Sequence, residues 1–436
     1  VVAQKLRYKD KSSGMPWRGD PKDCQLFGQH LQGSGKAIFV TEGELDAMSV
    51  SQALGNRWPA VSVINGASGA ARDLLRHQAW LRGFERIFLC LDNDEAGQKA
   101  AQECARALQS FPVHLVTLPL KDASDMVVAG RVEELVRCLW GGTRWKPKGI
   151  LEFSEIRSKV HERPTTGVAW PFGGLSALTY GRRPGELVAS GAGVGVGKTD
   201  WLASCQALDI TTLRLNTAIF TSEQTPEEAL KAICSKVAGQ RFNVPDGGWT
   251  KNDLEAALDL IAEGGKLAIY DRSEDFSWPT IRDHIRYLAE GEGYKSFYLD
   301  NLTACVAHAD DERRTLDALM EELAGLTVKL GLYTHVVSHL TTPDGRPHEE
   351  GGRVFAKHFT GSRSIARWCN YMFGLERDTQ AEGPDERRRT TLRILKDRYT
   401  GMGTGKTIPL LYDEQTGLMS EDHGYGSPEQ GSSAVF

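Results

Sequence analysis

The chain has no pair of cysteines close enough to share a metal and no apolar run long enough to cross a bilayer. Its eight cysteines, Cys24, Cys90, Cys104, Cys138, Cys205, Cys234, Cys305 and Cys369, never fall two to four residues apart. That excludes zinc-finger and zinc-ribbon spacing. Several sit in apolar runs, as Cys90 does in IFLCLD, the setting of reduced, buried thiols in a cytoplasmic protein. No apolar stretch approaches the ~20 residues of a membrane helix, so no membrane partner is expected. The opening residues, VVAQKLRYKDKSSG, are charged and lack the apolar centre of a signal peptide. They also lack an initiator Met, so further sequence ahead of Val1 is expected. Basic charge is not in excess: 52 Lys and Arg stand against 57 Asp and Glu, a net charge of −5. A globally basic nucleic-acid binder is thereby excluded, and any nucleic-acid site has to be a local patch or a ring assembled from subunits.

What is present is alternation. Between residues 36 and 140, the β-rich runs AIFVTE, AVSVING, RIFLCLD and VHLVTLP are separated by LDAMSVSQAL, ARDLLRHQAWL and AGQKAAQECARAL, which carry helical spacing. Such a βαβ series predicts a parallel sheet. Residues 1–35, polar and rich in lysine, read as the end of a preceding subdomain. A linker is expected over 141–166, opening on GGTRWKPKG. A second α/β series fills 167–418, with strands ELVAS, TAIFTSE, LAIYD, SFYLDN, YTHVVSHL, YMFGLE, TLRILKDR and TIPLLYD. The last three follow one another without a long helix and predict an antiparallel edge. The tail, 419–436, is rich in Gly and Ser and is expected to be disordered. The expected fold class is α/β, with two parallel-sheet domains.

The second series opens on the most informative stretch, GELVASGAGVGVGKTD. A strand, a glycine loop and a helix start arrive in the order of a phosphate loop: Ala192, four residues, then Gly197, Lys198 and Thr199. Gly193, Gly195 and Gly197 let backbone N–H groups turn toward a phosphate chain, Lys198 reaches its β and γ phosphates, and Thr199 holds Mg²⁺. The following helix adds its positive N-terminal end. Glu223, Asp300 and His339 each end a later strand, where ligands bind in such sheets. Asp300 at the end of the run SFYL suits a metal-holding position, and Glu223 suits a general base. Lys396 and Arg398 end a late strand far along the chain, a placement suited to a neighbouring subunit's nucleotide. The second GKT, in Gly401-Met402-Gly403-Thr404-Gly405-Lys406-Thr407, is followed by a strand rather than a helix, and so reads as a hairpin turn.

In the first series, Glu42 ends a strand and Asp46 lies in the next helix. Asp92 and Asp94 end another strand, and Asp122 follows a third. Carboxylates gathered at one sheet edge repel unless cations neutralise them, which points to Mg²⁺. Two metals would clamp the oxygens of a phosphoryl transfer, with Glu42 as acid/base. Each carboxylate read singly is a helix cap.

E-G-E-L-D with D-N-D resembles a TOPRIM domain, the fold of topoisomerases and bacterial-type primases. The second series resembles the RecA-like motor of hexameric replicative helicases. In that order, and with LFGQHL, HEEGGR and GLERD, nearly the whole chain resembles the bifunctional primase-helicases of short-tailed bacteriophages and the mitochondrial Twinkle helicase. The resemblance implies that Glu42, Asp46, Asp92, Asp94 and Asp122 form a primase metal site, and that Lys198, Thr199, Glu223 and Asp300 form an NTPase site. It makes His339 a sensor of nucleotide and DNA, Arg398 the arginine finger in trans with Lys396 beside it, and Arg377 a neighbour of the bound base. DNA loops fall within 341–367, with Arg346, Lys357 and Arg363 as phosphate contacts. A hexameric or heptameric ring around single-stranded DNA is implied, unwinding forked DNA by 5′-to-3′ translocation on NTP or dNTP in the host cytoplasm. RNA primers would be made at the Mg²⁺ site. Terminal Phe436 suits a contact with the replicative polymerase.

The chain departs from the phage pattern in three places. By that resemblance, no Cys₄ zinc domain is expected within these residues, the primase start is expected to keep only its basic end (Lys5, Arg7, Lys9, Lys11), and Arg367 falls where the family often has a glutamine γ-phosphate sensor. Three alternatives stand: a helicase with a structural TOPRIM domain, a TOPRIM nuclease fused to an ATPase, and a non-enzymatic clamp or filament.

Overall fold

The β-rich runs become buried strands because helices cover both faces of the sheets they form. The computed structural model describes residues 3–5, 17–20, 24–245, 247–307 and 309–424. The chain divides into two units, 1–163 and 164–436. In the first, β1 (Ala3–Lys5) and β2 (Trp17–Gly19) form an antiparallel ribbon. β3 (Ile38–Thr41), β4 (Ala60–Ser62), β5 (Ile87–Cys90) and β6 (Val113–Leu115) are parallel in the order β4-β3-β5-β6, and β7 (Thr143–Arg144) adds an antiparallel edge. The helices are α1 (Glu44–Ala53), α2 (Gly66–Arg76), α3 (Gln78–Leu81), α4 (Glu95–Ala107), α5 (Ala123–Val128), α6 (Val132–Trp140) and α7 (Phe153–Arg157). Successive strand residues point to opposite faces. Ile38, Val40, Ile87 and Leu89 therefore pack with Leu74 of α2 and Cys104 of α4. Phe39, Phe88 and Cys90 pack on the other face with Val50, Met126 and Leu135 of α1, α5 and α6. Phe39 and Phe88 stack at 4.9 Å, with Trp140 edge-on to both.

In the second unit β8 (Glu186–Ala192), β9 (Thr217–Thr221), β10 (Leu267–Ile269), β11 (Ser296–Asp300), β12 (Tyr333–Val337) and β13 (Tyr371–Glu376) run parallel in the order β10-β9-β11-β12-β8-β13. β14 (Arg389–Asp397), β15 (Thr407–Tyr412) and β16 (Met419–Glu421) continue the sheet antiparallel, as the missing helices between them predict. The helices are α8 (Gly173–Thr179), α9 (Lys198–Ala207), α10 (Pro226–Ala238), α11 (Lys251–Gly264), α12 (Trp278–Arg286), α13 (Glu312–Leu330), α14 (Ser362–Trp368) and α15 (Pro384–Arg388). Thr225 with Glu228, and Thr250 with Asp253, close capping boxes at the starts of α10 and α11. Val188, Ile219 and Tyr298 face one core with α9, α10 and α11. Leu187, Phe220 and Leu299 face the other with α12 and α13. The 401–407 glycine stretch is a hairpin turn, wound around Asp397, whose carboxylate accepts from the backbone of Tyr399, Thr400 and Gly403.

Three sequence boundaries need correction. Residues 24–35 are not the end of another subdomain: Leu26, 1% exposed, is part of the first core, and Phe27 bridges Ser62 of β4. The linker does not open at 141, because Thr143 and Arg144 pair with the exposed edge of β6 and Trp145 Nε1 donates to Gln102 of α4. The tail does not begin at 419, because β16 completes the sheet and Glu421 Oε1 accepts the Gly174 N–H at 2.6 Å. Arg7, Lys9, Lys11 and Phe436 lie outside the described residues. Among the described residues, no helix is long and apolar enough to cross a membrane.

A charged group lies inside the second unit. Arg182, 3% exposed, pairs through both Nη atoms with the fully buried Asp209, which also accepts from Ser296 Oγ (2.6 Å) and Tyr298 OH (2.8 Å). Removing one partner strands the other charge in a low-dielectric interior. Asp209→Ala is expected to cost about 3–5 kcal/mol of stability, read as a lower urea midpoint. A change under about 0.5 kcal/mol would show that the pair does not support the fold.

Candidate functional site

The phosphate loop leaves the end of β8 and enters α9 at Lys198. Gly195 (φ 72°) and Gly197 (φ 108°) occupy left-handed backbone that other residues resist. Gly193 is required for a different reason: a Cβ there would lie 2.6 Å from the His348 Cβ. Ala192 to Gly195, Gly197 to Asp200, Glu223 and His339 line one cavity of about 300 Å³. The Lys198 ammonium stands 3.3 Å from both Glu223 Oε2 and Asp300 Oδ1.

Asp300 ends β11 and is 6% exposed. Burial pushes its carboxyl up and Glu223 adds to the push, while Lys198 opposes it. Its Oδ1 makes no hydrogen bond of good geometry and meets only the Lys198 ion pair. A buried carboxylate oxygen whose one polar neighbour is the Lys198 ammonium, and the Thr199 hydroxyl, are the oxygen ligands that a hard cation prefers, so the residues present fit Mg²⁺. Burial also raises the Glu223 carboxyl, but Lys198 and a bond from Asn301 outweigh it and hold the group below the usual range. Glu223 is therefore ionised at neutral pH, as a base must be. Asn301 Nδ2 lies 2.8 Å from both Glu223 Oε1 and His339 Nε2 and joins the two. The sequence reading missed Asn301, although it directly follows Asp300. It also missed Arg272, which donates to Glu223 O at 2.9 Å.

Other expected residues sit apart from this cavity. Lys396 Nζ donates to Ala366 O (2.5 Å) and Cys369 O (2.8 Å), and an Arg398 Nη donates to Arg367 O. Both cations thus serve the carbonyls at the end of α14 in their own chain. Burial, then Arg398, holds the Lys396 ammonium below its usual range. Arg377 lies over the Tyr412 ring at 5.1 Å, an aromatic partner the sequence reading did not name. Arg346 pairs with Asp378 at 2.6 Å, and Lys357 faces Asp344 at 3.9 Å. Arg363 lines a second cavity, about 430 Å³, with Lys357, Thr341 and Phe359.

In the first unit, the parallel strands bring Asp46, Asp92 and Asp122 together, with one oxygen of each within 4.8 Å of the others. Glu42 and Asp94, expected in the same set, fall outside it. Glu42 reaches toward Gly66 at the start of α2 but is near enough to raise Asp92. Asp94 caps α4 by accepting the Gly97 N–H. Asp122 also caps a helix, accepting the Asp125 N–H at 2.7 Å. At Asp122 the capping bond and membership of the converging trio coexist. Lys121, overlooked in the sequence, stands 3.5 Å from Asp92 and 3.9 Å from Asp94. Burial, with Asp122 and Asp92 adding, pushes Asp46 up to about 6. Burial and Glu42 push Asp92 up to about 6. Three converging carboxylate oxygens, on Asp46, Asp92 and Asp122, fit a divalent cation.

Comparison with known proteins follows the same division. Residues 39–127 match the Toprim-like family. The chain is 28% identical over 443 residues to a DNA helicase/primase of Enterobacteria phage T3, covering 99% of this chain and 77% of that protein. Its fold is similar to a DnaB-like replicative helicase (TM-score 0.52, 16% identity, 92% of this chain and 95% of that one). It is also similar to a separately solved ATPase domain (TM-score 0.50, 19% identity, 61% of this chain and 94% of that one).

The raised aspartates set a pH dependence. Their folded values near 6 exceed the ordinary 3.8. The stability they contribute is full below 3.8 and is lost as pH rises through about 6. A cation offsets that loss only where the groups are ionised. Mg²⁺ is expected to raise the melting temperature at about pH 7.5 and hardly at all at about pH 5. Asp92→Asn should raise the metal-free melting temperature at the higher pH and abolish the response. A response equal at both pH values would contradict the assignment.

Proposed function

We propose that this chain, a relative of the phage DNA helicase/primases with a Toprim-like and a RecA-like domain, is a replicative helicase-primase that moves on single-stranded DNA and makes RNA primers. The observation that carries the reading is the Lys198 ammonium between Glu223 and Asp300, in a chain that also converges Asp46, Asp92 and Asp122. Lys198 and the loop N–H groups would hold the phosphates of an NTP or dNTP, and Glu223 would take the proton of the attacking water. Thr199 and Asp300 would hold Mg²⁺, which neutralises charge on the transferred phosphoryl group. Asn301 fixes Glu223 against His339, so that a change at His339 reaches the base.

Arg346, Lys357 and Arg363 are proposed DNA-phosphate contacts. Translocation would run 5′ to 3′ through a homo-hexameric or heptameric ring. Arg398 would reach a neighbouring subunit's nucleotide after leaving the Arg367 carbonyl, and Lys396 and Arg377 would lie near it. In the Toprim-like domain the aspartate trio would hold Mg²⁺, with Glu42 as acid/base and Asp94 steadying the site from the α4 cap. A second reading, a helicase with a structural Toprim domain, is favoured by the capping bonds of Asp94 and Asp122.

The two readings separate in one assay: extension of a short ribonucleotide on single-stranded DNA, with hydrolysis recorded in the same tubes. Glu42→Gln is expected to abolish extension and leave hydrolysis within about twofold, and Lys198→Ala to cut hydrolysis at least about 100-fold. Strong hydrolysis without extension would establish the structural Toprim reading. Hydrolysis indifferent to Lys198→Ala would overturn the motor assignment.

A further inference from the structure

Between His339 and Thr360 the chain leaves the sheet and returns to it. Thr360 N donates to His339 O (2.9 Å), Thr341 N donates to His358 O (2.7 Å), and Leu340 bridges Phe359. The base of this loop is thereby fastened to His339, and through Asn301 to Glu223. Its far part touches the nucleotide cavity a second time. Glu349 Oε1 accepts the Val194 N–H at 3.1 Å, and the space a Cβ on Gly193 would fill is taken by His348 and Glu349.

That second contact is itself held in place. Glu349 O accepts from Thr379 N (2.8 Å) and Thr379 Oγ1 (2.9 Å), and Pro347 O accepts from Glu350 N and Gly352 N. His348, 4% exposed, packs its ring 4.9 Å from the buried His358. On the other side of the contact the phosphate loop is anchored in the core by the fully buried Val196 but has no such packing at Val194. Val194 is exposed, and the glycines around it have no side chains to pack. Among the described residues, Glu349 is the one side chain that accepts from the backbone of Gly193 to Gly197. The same segment carries Arg346 and Lys357, both exposed.

We propose that Glu349 is a positioning residue, whose carboxylate oxygen sets the Val194 part of the phosphate loop against the 340–360 loop and so transmits nucleic-acid contact at Arg346 and Lys357 to the nucleotide phosphates. The proposal rests on the reading of the second unit as a DNA-stimulated NTP hydrolase. It needs an acceptor at the Glu349 position, not a charge, because the bond it uses comes from a neutral N–H. Glutamine keeps that acceptor and alanine removes it.

The test is steady-state hydrolysis by the full chain with and without an oligothymidylate, using whichever common NTP or dNTP it hydrolyses best. Wild type, Glu349→Ala, Glu349→Gln and Lys198→Ala are compared. Glu349→Ala should raise KM for the nucleotide about three- to tenfold, the factor of one hydrogen bond, and lower the ratio of DNA-stimulated to DNA-free kcat at least about threefold. Glu349→Gln should return both to within about twofold of wild type. The proposal is overturned if Glu349→Ala leaves KM and the stimulation ratio within about twofold, or if Glu349→Gln is as impaired as Glu349→Ala. Wild-type hydrolysis that is absent or survives Lys198→Ala overturns the underlying reading instead, and the proposal with it.

Discussion

One ammonium stands against two carboxylates at the head of the second sheet, and much of the nucleotide site follows from that imbalance. Lys198 is 3.3 Å from both Glu223 and Asp300, and Asp300 is nearly out of water. A buried carboxylate without a nearby cation costs several kcal/mol, and Lys198 offsets part of that cost at Asp300. Glu223 shares that cation and gains Asn301, which keeps it ionised while Asp300 is pushed toward its neutral form. Two acids far apart in sequence thus acquire opposite tendencies from their surroundings, the separation that the proposed roles of base and metal ligand call for.

The first unit shows the reverse balance. Three aspartates converge and the nearest cation, Lys121, is an exposed lysine paired with Asp92 and Asp94. With too little positive charge present, burial and mutual repulsion lift Asp46 and Asp92 into the range near 6. Both imbalances arise from one topological rule. Parallel strands deliver their last residues to the same edge, so acids at the ends of β3 and β5, or β9 and β11, are brought together whatever separates them in the chain.

That rule also explains which features were legible in the sequence. The phosphate loop, Asp300 and the 42–46 and 92–94 acids announce themselves by standing where an apolar run stops, and the alternation of Ile38, Phe39 and Val40 with their neighbours fixes both faces of a sheet. Asn301, Arg272, Lys121 and Glu349 carry no such mark. Each acts through a partner that only folding brings near: Glu223 for the first two, Asp92 for the third, Val194 for the fourth. The buried Arg182 and Asp209 pair is equally silent, since a charge 27 positions from its partner looks like a solvated one. Edges were misjudged for the same reason. Thr143–Arg144 and Met419–Glu421 are too short to read as strands and exist because an unpaired strand edge was waiting for them.

In the proposed motor, nucleotide chemistry at Lys198 is coupled to movement on DNA. The most direct measurement is strand separation on a forked duplex with a free 5′ single-stranded tail, in Mg²⁺ and nucleotide. The wild-type chain is expected to separate the strands, Lys198→Ala to fail, and Asp92→Asn to succeed. Nucleotide hydrolysis that proceeds on the fork without separating it would contradict that coupling.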